Sequence, residues 1–357
     1  MRGGCHLTRT THTNAWKAPV ITLTGYLGAG KTTLLNHLLR RPGARIGVII
    51  NDFGKINVDA ALVTGQVDEA ASISGGCLCC MPDGGGLDDA LKSLARPKLR
   101  LDAIIIEASG IADPIALARI IHFSSAPHIR PGGIVELVDA VEHFHSVDVS
   151  DEPPARYAAT NLIVITKTDL LAESQREAII SRIRQRVRMR NPDAQFVIAD
   201  RERIDSDLVF DVASDEDPVD ELPIAQLIRD STPESETHEH HHAHSVSQEL
   251  TEAVSPSALI ELLENPPAGA YRLKGRVAIR ERRKANGAAG YVVNLVGRSI
   301  HIAPMASPAR PGELVAIGMH LDVEEARRRF DALAHTPADQ PDPMGLRHVH
   351  RYARLSR

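Results

Sequence analysis

Three groups of residues in this chain have the types and spacing to do chemistry. The first is Gly25, Gly28, Ala29, Gly30, Lys31, Thr32 and Thr33, which satisfy a phosphate-binding loop pattern at each constrained position. An apolar, β-branched run at 20–24 precedes them and an amphipathic run carrying Leu34, Leu35, Leu38 and Leu39 follows. Strand, Gly-rich loop and helix in that order are the context the pattern requires. The glycines let successive backbone N–H groups turn toward a phosphate, and a helix N-terminus adds partial positive charge. Lys31 is expected to reach the β- and γ-phosphates, and the Thr32 hydroxyl to ligate Mg²⁺. The sequence therefore predicts a nucleoside triphosphate site.

The second group sits at the ends of later apolar runs. Thr166, Lys167, Thr168 and Asp169 follow the run at 162–165. A carboxylate such as Asp169 accepts from both N1–H and the exocyclic amine of guanine, a donor pair adenine lacks, and Lys167 has an aliphatic stem to lay across a base. The same four residues also fit an ordinary polar turn. Glu107, Ala108, Ser109 and Gly110 follow the run at 103–106. Glu107 there is placed to act on Mg²⁺ through water, and Gly110 leaves a backbone N–H free to approach the γ-phosphate; Asp113 and Pro114 begin a helix. Asn51, Asp52, Phe53 and Gly54 lie where a first nucleotide-sensing loop is expected.

The third group is metal-binding in character. Cys77, Cys79 and Cys80 place three thiols within four residues after Gly75 and Gly76. Such a set can converge on a soft or borderline cation such as Zn²⁺, and leaves a fourth position for Asp52, Asp59 or a histidine; reactive thiols or buried small hydrophobes are the alternative. Lying between two nucleotide-sensing segments, these thiols link metal affinity to nucleotide state, and linkage is reciprocal. A second tract, with His240, His242 and His244, reads either as a weak, exchangeable metal tether or as a solvated linker.

The elements that must position these groups follow from periodicity. Apolar runs at 46–50, 103–106, 134–138, 162–166 and 196–199 alternate with helical patterns such as 174–190. That alternation predicts an α/β domain over 18–200, a mostly parallel sheet with helices on both faces and ligands at the carboxyl ends of the strands. Residues 201–245 read as an acidic, His-rich linker, with a short helix near 224–228. Strands at 245–251, 271–279, 291–296 and 314–317 with helices at 256–263 and 323–333 predict a smaller α+β domain over 246–335. Residues 1–17 and 336–357 read as flexible extensions.

Composition excludes several classes. A net charge of −5 over 357 residues gives no electrostatic reason to expect a nucleic-acid partner. No apolar run approaches the roughly 20 residues of a membrane span, and the polar start lacks a signal-peptide core. Three of the four cysteines lie together, a poor disulfide framework that suits a reduced, cytoplasmic setting.

With these residues in view, the chain resembles the CobW-like metal-chaperone GTPases, relatives of the urease and hydrogenase accessory GTPases. The similarity rests on GYLGAGKTTLL at 25–35, NDFGKINVD at 51–59, GGCLCC at 75–80, EASGIADP at 107–114 and TKTD at 166–169. The second half is more loosely similar, through residues 271–275 and 315–318. The resemblance implies slow GTP hydrolysis, with Zn²⁺ or Co²⁺ held by Cys77, Cys79 and Cys80 and delivered to a client metalloprotein through the C-terminal domain. A metal buffer for zinc stress, or a dedicated activator of one nitrile hydratase or cobalamin-pathway enzyme, are the alternatives. A symmetric dimer is the default expectation for assembly. Two positions depart from the pattern: Asp52 where the family usually carries Glu, and Thr166 where the common GTPase motif carries Asn.

Overall fold

The computed structural model describes residues 17–52, 55–59, 71–74, 85–110, 112–201, 203–210, 243–281, 288–308, 311–336 and 342–356. Side chains of 51–85 fall outside that description, as do the Cys77, Cys79, Cys80, His240 and His242 assignments and the helix expected near 224–228.

The first half is built on strands β1 (Ala18–Gly25), β2 (Ile46–Asp52), β3 (Lys55–Asp59), β4 (Ala71–Ser74), β5 (Ala103–Glu107), β6 (Ile129–Asp139), β7 (Leu162–Thr166) and β8 (Gln195–Ile198). They form one sheet in the order β4-β3-β2-β5-β1-β6-β7-β8. The strands from β2 to β8 in that order pair in parallel, and β3 and β4 continue the β2 edge in antiparallel fashion. A parallel sheet needs cover on both faces, and alternate side chains supply it. Ile21 and Leu23 of β1 pack with Leu34, Leu35 and Leu38 of α1 (Lys31–Leu39) on one face. Val20, Ile104 and Ile106 point the other way, against Leu87 and Leu91 of α2 (Gly85–Leu94) and Leu117 and Ile121 of α3 (Pro114–His122). Ile180, Ile183 and Val187 of α4 (Glu173–Arg190) bury Ile163, Ile165 and Phe196.

The second half is an antiparallel sheet, β9 (His244–Leu250), β10 (Arg272–Arg280), β11 (Ala288–Val296), β12 (Ser299–Pro304) and β13 (Gly312–Gly318), in the order β12-β11-β10-β13-β9. Its core is shared with α5 (Pro256–Glu264), α6 (Val323–His335) and α7 (Pro343–Leu355). The two domains touch through an apolar cluster. Tyr271, just before β10, and Val296 and Ile317 of the second sheet pack into the same cluster as β1, α1 and Val135 and Leu137 of β6. Arg272 donates to the Asp207 carbonyl at 3.0 Å, and Arg130 to Asn294 Oδ1 at 3.1 Å.

The structure corrects several expectations. Residues 343–355 form α7 and are no flexible tail: Val349 is fully buried, and Asp342 caps the helix through the Gly345 N–H while also accepting from the Ser257 N–H. Lys17 is anchored too, donating to the Ser356 carbonyl at 2.7 Å. His244 begins β9 and does not belong to the linker, and Asn51 and Asp52 end β2, pairing with Ile56 and Lys55 across a hairpin.

Candidate functional site

Parallel strands ending side by side bring the predicted loops together at one edge of the sheet. β1 ends at Gly25, β5 at Glu107, β6 at Asp139 and β7 at Thr166. Between Gly25 and Lys31 the backbone turns through three positive φ angles, at Gly25 (144°), Gly28 (81°) and Gly30 (95°), conformations that side chains resist. Gly25 is doubly required, because a Cβ there would lie 2.7 Å from the Leu137 carbonyl oxygen.

Lys31 is buried and donates to the carbonyls of Gly25 (2.9 Å) and Tyr26 (3.2 Å). Burial pulls its pKa down from the usual lysine value, while Glu107 and Glu136 oppose that shift. Thr32 Oγ1 donates to Glu107 Oε1 at 2.6 Å, so the hydroxyl and carboxylate expected near Mg²⁺ are in contact. Gly110 lies directly on the loop: a Cβ there would sit 2.8 Å from the Leu27 nitrogen. Beside it, the buried Ser109 Oγ has no hydrogen-bond partner among the described residues.

The segment expected to read the base reaches the same place. Thr166 Oγ1 is buried and donates to the Ala29 carbonyl at 3.0 Å, tying β7 to the phosphate loop. Lys167 adopts a left-handed conformation (φ 58°) and donates to Asp139 Oδ2 at 2.6 Å. Asp169 is exposed in the short turn that follows. The sheet also places the segment around 51–52 here, since Ile50 is in register with Glu107.

Several neighbours escaped the sequence reading. Glu136 is buried beneath the loop, accepts from Thr24 Oγ1 and pairs with Arg156 Nε at 2.8 Å; burial still pushes its pKa up. Next to it, His143 hydrogen-bonds Tyr157 Oη at 2.7 Å and lies 3.8 Å from Asp148, which takes a bidentate contact from Arg186. Thr24, Arg156, Tyr157 and Arg186 lie 14 or more positions from the groups they contact and carry no local pattern. Among the described residues, no group of three or more His, Cys, Asp or Glu is arranged to hold a metal ion. Nor is any described helix long and apolar enough to cross a membrane.

This geometry agrees with comparisons to known proteins. The family CobW/HypB/UreG, nucleotide-binding domain, matches residues 19–198, and the cobalamin synthesis protein cobW C-terminal domain matches 243–334. The zinc chaperone YjiA of Escherichia coli is 32% identical over 163 residues, covering 44% of this chain and 51% of YjiA. The zinc chaperone CobW of Sinorhizobium sp is 29% identical over 371 residues, covering 90% of this chain and 98% of that protein. The zinc-regulated GTPase metalloprotein activator 1 of Schizosaccharomyces pombe is 32% identical over 197 residues, covering 52% and 47%. The matched region thus spans about half the length of two of these relatives and nearly all of the third. With its phosphate loop, carboxylate and second-domain match in place, this chain belongs to the CobW/HypB/UreG family of P-loop GTPases.

Proposed function

We propose that this protein is a GTP-driven zinc metallochaperone, in which nucleotide state sets the affinity of Cys77, Cys79 and Cys80 for Zn²⁺ (or Co²⁺) and the 246–335 domain docks the receiving protein. The residues present suit the nucleotide. Lys31 and the turned backbone of 25–30 offer donors to phosphates, and Thr32 and Glu107 offer the hard oxygen ligands that Mg²⁺ prefers. When bound, Mg²⁺ neutralises β- and γ-phosphate charge. Ser109, with its unpartnered buried hydroxyl, and Gly110, with no side chain between the loops, suit the γ-phosphate end. Thr166 braces the loop from β7 and Asp169 selects guanine.

The observation that carries the metal link is the register of the sheet edge. β2 runs beside β5 with Ile50 opposite Glu107, then hairpins through β3 to β4, whose last residue, Ser74, is followed in sequence by the thiol segment. A change at Glu107 is thus one strand away from the ribbon leading to the cysteines. The zinc chaperone names of the relatives support the cargo.

Competitive Zn²⁺ titration against a chromophoric chelator tests this, with protein carrying a Mg·GTP analogue, Mg·GDP or no nucleotide. A tenfold or larger change between states, about 1.4 kcal/mol of coupling, that disappears in C77S/C79S/C80S is the expected result. Equal affinities in all three states would reject nucleotide control of the metal and leave a simple buffer.

A further inference from the structure

A half-open cavity of about 720 Å³ lies between the two halves, on the scale that holds a drug-sized molecule. Its walls come from α3, the starts of β1 and β6, strands β11 and β12, and the end of α7. Much of the lining is apolar, including Ile115, Ile121, Phe123, Ile134 and Leu355. The ionisable lining is of one sign. Lys17, Arg119 and Arg130 face it with His122 and His301, and no described lining residue is Asp or Glu.

Two polar side chains in the wall are buried with few partners among the described residues. Thr22 Oγ1 is fully buried and has no hydrogen-bond partner among the described residues; His301 is 8% exposed, and its ring is approached only by the backbone of Ser356 and of His301 itself among the described residues. Burying such atoms unpaired costs free energy, so a position that keeps them has a use for them. The cationic character of the site is felt at His301: burial, then the charges of Arg130 and Lys17, hold its pKa down at about 3. A neutral imidazole in this setting offers one donor and one acceptor.

We propose that this interdomain cavity is a binding site for an amphiphilic organic anion, whose acidic head meets Arg130, Lys17, Thr22 and His301 and whose apolar body lies along α3. Nothing in the nucleotide or thiol chemistry requires this site. It stands on its own geometry. α3 begins directly after the Glu107–Asp113 loop, so the ligand touches an element attached to the nucleotide site as well as the second domain.

Fluorescence titration of the full chain tests the proposal, in saturating Mg·GDP so that the phosphate loop is filled. The probes are 8-anilinonaphthalene-1-sulfonate and its uncharged relative N-phenyl-1-naphthylamine. We expect one sulfonate probe per chain, bound at least tenfold more tightly than the neutral one. The double variant T22V/H301L, which removes these polar atoms while keeping side chains of similar size, should fold normally and bind the sulfonate at least tenfold more weakly. Ala118→Trp, which fills the cavity, should abolish binding of both probes. Equal affinity for the two probes, or sulfonate binding unaffected by T22V/H301L, would overturn the proposal.

Discussion

Protonation of His143 offers a quantitative test of the packing around the nucleotide end. The ring is 2% exposed, held between Tyr157 and Phe144, and burial lowers its pKa from the ordinary 6.5 to about 4 against the pull of Asp148 and Asp139. The unfolded chain takes up this proton near pH 6.5 and the folded one only near pH 4, so the unfolded state binds more protons across that window. Stability contributed by the neutral ring is complete above pH 6.5 and is lost as pH falls toward 4. At 1.36 kcal/mol per pKa unit the full loss is about 3 kcal/mol, and at pH 5 it is about 2 kcal/mol. The perturbation is His143→Gln, which keeps a polar partner for Tyr157 and cannot titrate. Urea unfolding followed by far-UV circular dichroism, at pH 7.5 and pH 5.0, gives the change in stability for each protein. His301 and the carboxylates titrate in both and cancel in the difference. The wild type should lose about 2 kcal/mol more than the variant over this interval. Identical losses would show that the ring is not held neutral by burial and would refute the reasoning.

Two further outcomes follow from contacts described above. Gly110→Ala places a methyl 2.8 Å from the Leu27 nitrogen and 3.3 Å from its Cα, so the phosphate loop must shift; steady-state GTP turnover should fall at least tenfold while the urea midpoint hardly moves, given how steeply rate depends on positioning. Ending the chain at 341 removes the cover of Val349, Leu346 and Ala353 and the Asp342 carboxylate that accepts from α5; burial of that size is worth about 3–5 kcal/mol, and a drop in melting temperature with intact GTP binding is the expected reading.

How much was legible depended on whether a feature is local. The phosphate loop, β5 with Glu107 and β7 with Thr166 carry their signals in a few adjacent residues, and each ends where expected. Glu136 was hidden because its partners, Thr24 and Arg156, lie 112 positions before it and 20 after it, with only the parallel pairing of β1 and β6 bringing Thr24 beside it. Lys167 and Asp139 meet for the same reason, across β6 and β7. Helix α7 was masked by its composition: Pro343, Gly345 and a string of Arg and His suggested a solvated tail, although Leu346, Val349 and Ala353 keep helical spacing. The cavity between the halves was beyond reach, since Thr22 and His301, which line it, are 279 positions apart.

The shared cluster joining Tyr271, Val296 and Ile317 to β1 and β6 has a consequence for how the molecule should be divided. Gly133 of β6 is close enough to Val296 that a methyl in its place would come within 3.0 Å of the valine, so the two sheets mesh at side-chain resolution. Each covers part of the other's apolar surface. Severing the pair would strip both of cover at once, so a GTPase half expressed alone would carry an adhesive apolar face instead of a finished surface.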